Sequence, residues 1–260
     1  MANNYWANRV SKAQAILFDK NRKQIERQLR KHYKNLALQV IDDYEATYNK
    51  LLATLADGKQ PTPADLYNLD RYWKMQGRLR DQLRRLGERQ VTLLTKQFEI
   101  SYFDSYYSFA LDGLQTFNTI DEGAVKQVIN QIWCTDGKSW SQRIWQNTQM
   151  LQETLNDGLV QCVAAGKKPS FLKQALQERF NVSFNNADML VRTELAHIQT
   201  QAARQRYQDY GIKQMEVWVD EDERTCPICA KHEGEKYFVT DVMPVPFHPR
   251  CRCCMIPVVE

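Results

Sequence analysis

The last forty-five residues hold five of the chain's seven cysteines and two of its four histidines. Their spacing is the strongest constraint on the fold. Cys226-Pro227-Ile228-Cys229 is a C-x2-C turn. After eighteen residues comes His248-Pro249-Arg250-Cys251, an H-x2-C turn, with Cys253 and Cys254 directly behind. Two ligands two residues apart can grip one ion from a tight turn, and a second such pair completes a tetrahedron. Pro227 and Pro249 each fix one φ inside their turn. Thiolate and imidazole ligands favour zinc over calcium or magnesium, which take oxygen. The expected ligands are Cys226, Cys229, His248 and Cys251. Cys253 is the alternate, because residues two apart in an extended strand share a face. Cys254 then faces away, and His232, in a polar run, reads as solvated. Disulfides and plain core packing are the competing uses of these cysteines. No secretory signal core precedes them, and disulfides are rare in reducing compartments.

Upstream, the chain reads as helix. Val10, Ala13, Leu17, Ile25, Leu29, Leu36, Val40, Tyr44, Tyr48 and Leu51 recur mostly at intervals of three, four or seven, which predicts one long helix or two in line from residue 3 to about 55. Asp57-Gly58 and the Pro61-Thr62-Pro63 run break it, with Thr62 placed to cap the next helix and Asp65 three residues on. A second long helical region is expected from about Asp65 to Phe117, its later half aromatic. A short helix should open at the capping-box run Thr119 to Glu122, and another at Ser139 to Gln142, ending near Ala165. Ser170 to Phe180 reads as a short helix, Asn181 to Asn186 as a turn, and Ala187 to Tyr210 as the last helix, closed by Gly211. Met215 to Val219 alternates and is rich in β-formers; Tyr237 to Val239 and Met255 to Val259 are its candidate partners.

The resulting fold class is mainly α: long N-terminal helices and a helical middle region, then a small zinc-stabilised β module. The expected boundaries are 1–118, 119–186 and 187–260. A tail this short buries too little surface to be stable alone, so a structural metal would supply the missing free energy, on the order of 10 kcal/mol.

The net charge of +4 is unevenly spread. From Arg9 to Lys34 nine basic residues face two acids, and from Arg71 to Lys96 eight face two. Such stretches are commonly solvated helix faces. The functional alternative is a surface for phosphates or an acidic protein ring, with Arg22, Lys23, Arg27, Arg30, Lys31, Arg78, Arg84 and Arg85 as contacts. No groove-reading motif accompanies them, so DNA contact would be sequence-independent. No apolar run is long enough for a transmembrane helix. HExxH, phosphate-loop and nucleophile-elbow motifs are absent. Four good ligands would also close a zinc site, so no enzyme is expected.

One order of features resembles a known family. It runs from Arg192-Thr193-Glu194 on a helix through the helix-ending Gly211, Trp218 in a strand and the acidic run Asp220 to Arg224. The turn Cys226 to Cys229 follows, then Pro246-Phe247-His248-Pro249-Arg250-Cys251-Arg252-Cys253. This is similar to the C-terminal module of the bacteriophage minor head proteins, the Mu-F-like head morphogenesis family. The resemblance implies a minor capsid protein made in the host cytoplasm and built into the virion head. It implies a portal protein as partner, with a role in genome packaging or delivery. Major capsid or scaffolding protein and genomic DNA are further expected partners. Arg192, Thr193 and Glu194 would form a structural cluster joining helix to zinc module. The competing reading is a sequence-independent DNA-binding protein whose module is a zinc ribbon.

Overall fold

The computed structural model describes residues 2–53, 55, 59, 62–66, 69–108, 120–165, 168–219 and 225–259, with the side chains of 2–7, 66, 69–71 and 163–164 excepted. The expected break at Asp57 to Pro61, the aromatic run past Ser108 to Phe117, the Thr119 cap, Gly166 and the acidic run Asp220 to Arg224 lie outside the described residues.

The chain is mainly α. The elements are α1 (Ala2–Leu52), α2 (Pro63–Leu66), α3 (Leu69–Ser108), α4 (Glu122–Asn130), α5 (Trp140–Ala164), α6 (Pro169–Asp209), β1 (Gln214–Trp218), α7 (Pro227–Ala230), β2 (Lys236–Phe238) and β3 (Cys254–Pro257). Among the described residues no helix is long and apolar enough to cross a membrane.

α1 is continuous because its apolar stripe never loses phase. Val10, Ile25, Leu29, Tyr33, Leu36, Val40, Tyr44, Tyr48 and Leu51 are all buried, and Gln14 and Asn21 fill the remaining turns of the same stripe. At α2 the Thr62 N–H and hydroxyl both donate to Asp65 Oδ2, at 2.9 and 2.6 Å, and the Asp65 N–H returns to the Thr62 oxygen at 3.3 Å. That reciprocal pair satisfies helix-end donors. α4 is capped by Asp121, whose carboxylate accepts from the N–H groups of Gly123 and Ala124.

The turn expected at Asn181 to Asn186 does not exist; α6 runs straight through it. No proline or glycine interrupts this segment, and tertiary contacts override its weak helix propensity. The Ser183 carbonyl accepts from Asn147 Nδ2 at 2.9 Å and the Tyr33 hydroxyl at 3.3 Å. Phe184 packs edge-on against the Tyr33 ring.

The chain divides into two compact units. Unit 2 comprises Arg27–Thr92 and Ser141–Ala187. It is helical, with Leu29, Tyr44, Leu83, Ile144, Leu155 and Leu176 in its core. Unit 1 comprises Met1–Glu26, Leu93–Trp140 and Asp188–Glu260. Its antiparallel sheet has the order β2-β1-β3. Met215 pairs with Tyr237 on one side and Pro257 on the other, and Trp218 pairs with Cys254. Buried Met215, Val217, Met255 and Ile256 form one core with Val10 of α1 and with Ala203 and Tyr207 of α6. The small sheet is therefore roofed by helices rather than standing alone.

Candidate metal centre

Cys226 caps α7 from the extended region, and the Cys229 N–H donates to its sulfur at 3.4 Å. The C-x2-C run is thus a single helical turn opened by Pro227. The second turn, His248 to Arg250, ends with Arg250 at φ 64°.

These turns bring the sulfur and nitrogen ligands together. His248 Nε2 lies 3.2 Å from Cys226 Sγ and 3.1 Å from Cys229 Sγ. Cys229 Sγ lies 3.8 Å from Cys251 Sγ. A zinc–sulfur bond of about 2.3 Å gives a tetrahedron sulfur–sulfur edges of about 3.8 Å. Among the described residues the donors form two trios, each within 4.8 Å: Cys226, Cys229 and His248, and Cys229, Cys251 and Cys253. Cys251 stands in the second trio and meets the first through Cys229. Cys254 lies in β3, opposite Trp218.

The imidazole is oriented for ligation. Its Nδ1 bonds the Pro249 carbonyl at 2.8 Å. A carbonyl only accepts, so the proton sits on Nδ1 and the Nε2 lone pair faces the thiols. Burial pulls the His248 pKa down, but the Pro249 carbonyl and the Cys251 and Cys226 sulfurs outweigh it and the net shift is upward. The Cys229 N–H lowers the Cys226 thiol to about 7. The hydrogen bond from Cys253 lowers Cys251 to about 5. Burial raises Cys229 to about 12, and the bond to Cys251 raises Cys253. Ionisation is therefore easiest at Cys251 and then at Cys226, one thiol in each trio. The thiolate is the form that binds metal.

α6 carries the next layer. The Thr193 hydroxyl donates to the Met189 carbonyl at 2.8 Å and accepts from the Arg250 N–H at 3.2 Å. Arg192 pairs back along the helix with Asp188 at 2.8 Å. Glu194 is buried and accepts from Trp133 Nε1 at 2.9 Å. The Trp133 ring also stacks on His197, with centroids 4.3 Å apart and planes 7° from parallel. Burial lowers the His197 pKa to about 4. Sequence reasoning missed Trp133 and His197. The one available signal was that His197 lies three residues after Glu194 and so shares its helix face.

Residues 153–256 match the family model described as Phage Mu protein F like protein. Over these residues the chain is similar to the Mu protein F-like family. No curated protein and no solved structure matches the chain. The Mu F-like segment begins within α5, earlier than the module boundary read from the sequence, and contains every candidate ligand together with Thr193.

His232 is not simply solvated: it is half-buried, stacked on Phe247 with centroids 4.2 Å apart, and its Nδ1 lies 2.8 Å from Glu235. The basic residues singled out from the sequence divide by environment. Lys23, Arg27, Lys31 and Arg85 are exposed, Lys23 lying 3.7 Å from Asp19. Arg30 is exposed and lies over the Phe184 ring at 4.4 Å. Arg78 pairs with Asp43 at 3.3 Å and Arg84 with Glu88 at 2.5 Å. The Arg22 side chain is only 15% exposed, and it pairs with Glu26 at 2.7 Å.

Proposed function

We propose that this chain is a head-morphogenesis protein of a tailed bacteriophage, built into the virion as a minor, non-enzymatic component. The Mu F-like match over residues 153–256 carries this reading. In it, Cys226, Cys229, His248 and Cys251 hold one structural zinc, with Cys253 as the reserve ligand. The metal ties the C-terminal sheet to α6 through Thr193. A sulfur-rich site without an open position suits structure rather than catalysis. The portal protein is the expected docking partner, during assembly in the host cytoplasm, and the chain would act in packaging or delivery of the genome. Further head proteins are secondary partners.

Exposed Lys23, Arg27, Lys31 and Arg85 favour one further element, sequence-independent contact with DNA phosphates. The test is co-purification with the portal protein, using wild type and a variant with Lys23, Arg27 and Lys31 changed to Glu. Portal capture by wild type, lost in the variant, supports docking through α1. Failure of the wild type to bind portal would overturn the portal assignment. Duplex DNA retained at moderate salt in place of portal would favour the DNA-binding reading.

A further inference from the structure

Unit 1 holds a cavity of about 390 Å³ bounded by α1, α6 and the segment from Arg250 to Cys254. Its wall contains four guanidiniums, Arg22, Arg192, Arg250 and Arg252, and among the described residues one acid, Asp19. Glu26 holds Arg22 at 2.7 Å, with Asp19 also 3.5 Å from it, and Asp188 holds Arg192 at 2.8 Å. A guanidinium has five N–H donors, and one carboxylate takes at most two or three of them. Those pairs therefore position the groups without exhausting them.

Gln199 adds a second, independent sign. It is 6% exposed and lines the cavity, and its amide nitrogen has no hydrogen-bond partner among the described residues. A buried donor of this kind is normally satisfied. With four guanidiniums and the Gln199 amide against the Asp19 carboxylate and a few hydroxyl and amide oxygens, the wall offers more donors than acceptors, which suits a group that only accepts. The volume exceeds that of a bare oxyanion and falls within the range of small-molecule sites, about 300–1,000 Å³. Phe18 supplies an aromatic face in the same wall.

We infer that this cavity binds a small phosphorylated molecule. Its phosphate sits among Arg22, Arg192, Arg252 and the Gln199 amide, and its flat or apolar body lies against Phe18. Arginine suits the phosphate because its planar fork bonds two oxygens at once. The inference does not depend on the head-assembly role.

The experiment is isothermal titration of the full, metal-replete chain with four probes: deoxyadenosine 5′-monophosphate, inorganic phosphate, adenosine, and a single-stranded oligothymidylate. The expected order is saturable binding of the nucleotide, weaker binding of phosphate, and none of adenosine. Gln199→Leu and Arg252→Gln each lower nucleotide affinity by about tenfold or more. Phe18→Ala brings the nucleotide down to the level of phosphate. Metal content and melting temperature report whether each variant is folded, and Phe18→Ala lies away from the sulfur cluster should Arg252→Gln disturb it. The inference is overturned if neither the nucleotide nor phosphate saturates, if adenosine binds as well as the nucleotide, or if folded variants bind like wild type. Binding of the oligonucleotide without either small probe also overturns it, and assigns the anion affinity to the outer basic surface.

Discussion

The Arg250 backbone N–H donates to the Thr193 hydroxyl across fifty-seven positions of sequence, at 3.2 Å. It joins the turn from His248 to Cys251 to the helix that carries the Arg-Thr-Glu run. Thr193→Val keeps the shape of the side chain and removes the acceptor, leaving the Arg250 N–H without that partner. Loss of about 1–2 kcal/mol is expected, with Thr193→Ser close to wild type. Equal melting curves for Thr193→Val and wild type would show that the contact contributes nothing.

Arg250 sits at φ 64°, in the left-handed region that favours glycine. Arg250→Gly removes the side-chain penalty at that φ and keeps the donated N–H. Stability within about 1 kcal/mol of wild type is expected from thermal unfolding. Arg250→Val, β-branched, should lose more. A severe loss in the glycine variant would mean that the guanidinium itself holds the turn.

Metal removal should act locally. With Cys226→Ser or after chelation, the C-terminal sheet should lose protection in hydrogen exchange while the helices of unit 2 keep theirs. The purified chain should contain one zinc, and Cys253→Ser should retain it. Loss of zinc in Cys253→Ser with retention in Cys251→Ser would exchange the roles of those two cysteines.

His197 gives stability a pH dependence whose sign follows from its burial. Its folded pKa of about 4 lies below the ordinary value of 6.5, so between these values the unfolded chain binds the extra proton. Stability from this group is complete above pH about 6.5 and falls as pH drops toward about 4, by up to roughly 3 kcal/mol. His197→Phe keeps a ring against Trp133 and should flatten that part of the profile. Indole emission from Trp133, stacked on this ring, offers a second readout, and an unaltered slope in the variant would assign the effect elsewhere.

Two helix glycines should answer alanine differently. At Gly158 an added Cβ meets the Arg179 guanidinium at 2.6 Å, a mobile end that can move aside. The gain in helix propensity then wins, by about 0.5–1 kcal/mol. At Gly87 the Cβ would run into the Trp145 ring, and displacing a whole indole costs more than propensity returns. Net destabilisation of about 1 kcal/mol is expected there; two changes of the same sign would refute the distinction.

What the sequence disclosed depended on how far apart the cooperating residues were. The cysteine and histidine turns, the three strands and the Thr62 cap are each defined within a few positions, so spacing and propensity reveal them. Asn181 to Asn186 looked like a turn because the groups that hold it helical, Asn147 and Tyr33, lie 36 and 150 positions away from Ser183. Trp145 is 41% exposed and lies over Gly87, a neighbour that no periodicity could connect to it. Arg22 read as one of many surface cations; its pairing with Glu26 is a local i,i+4 contact, but its 15% exposure is not legible from spacing.

The Gln14 amide donates to the Met255 carbonyl at 3.1 Å, 241 positions later in the chain. Translation at about 5–20 residues per second separates these two groups by on the order of ten to fifty seconds. The Val10–Gln14 face of the first helix therefore emerges long before α6, β1 and the closing strand that cover it. A product cut short before Met255 lacks one partner of this face, and the Gln14 amide loses the acceptor that the finished chain supplies.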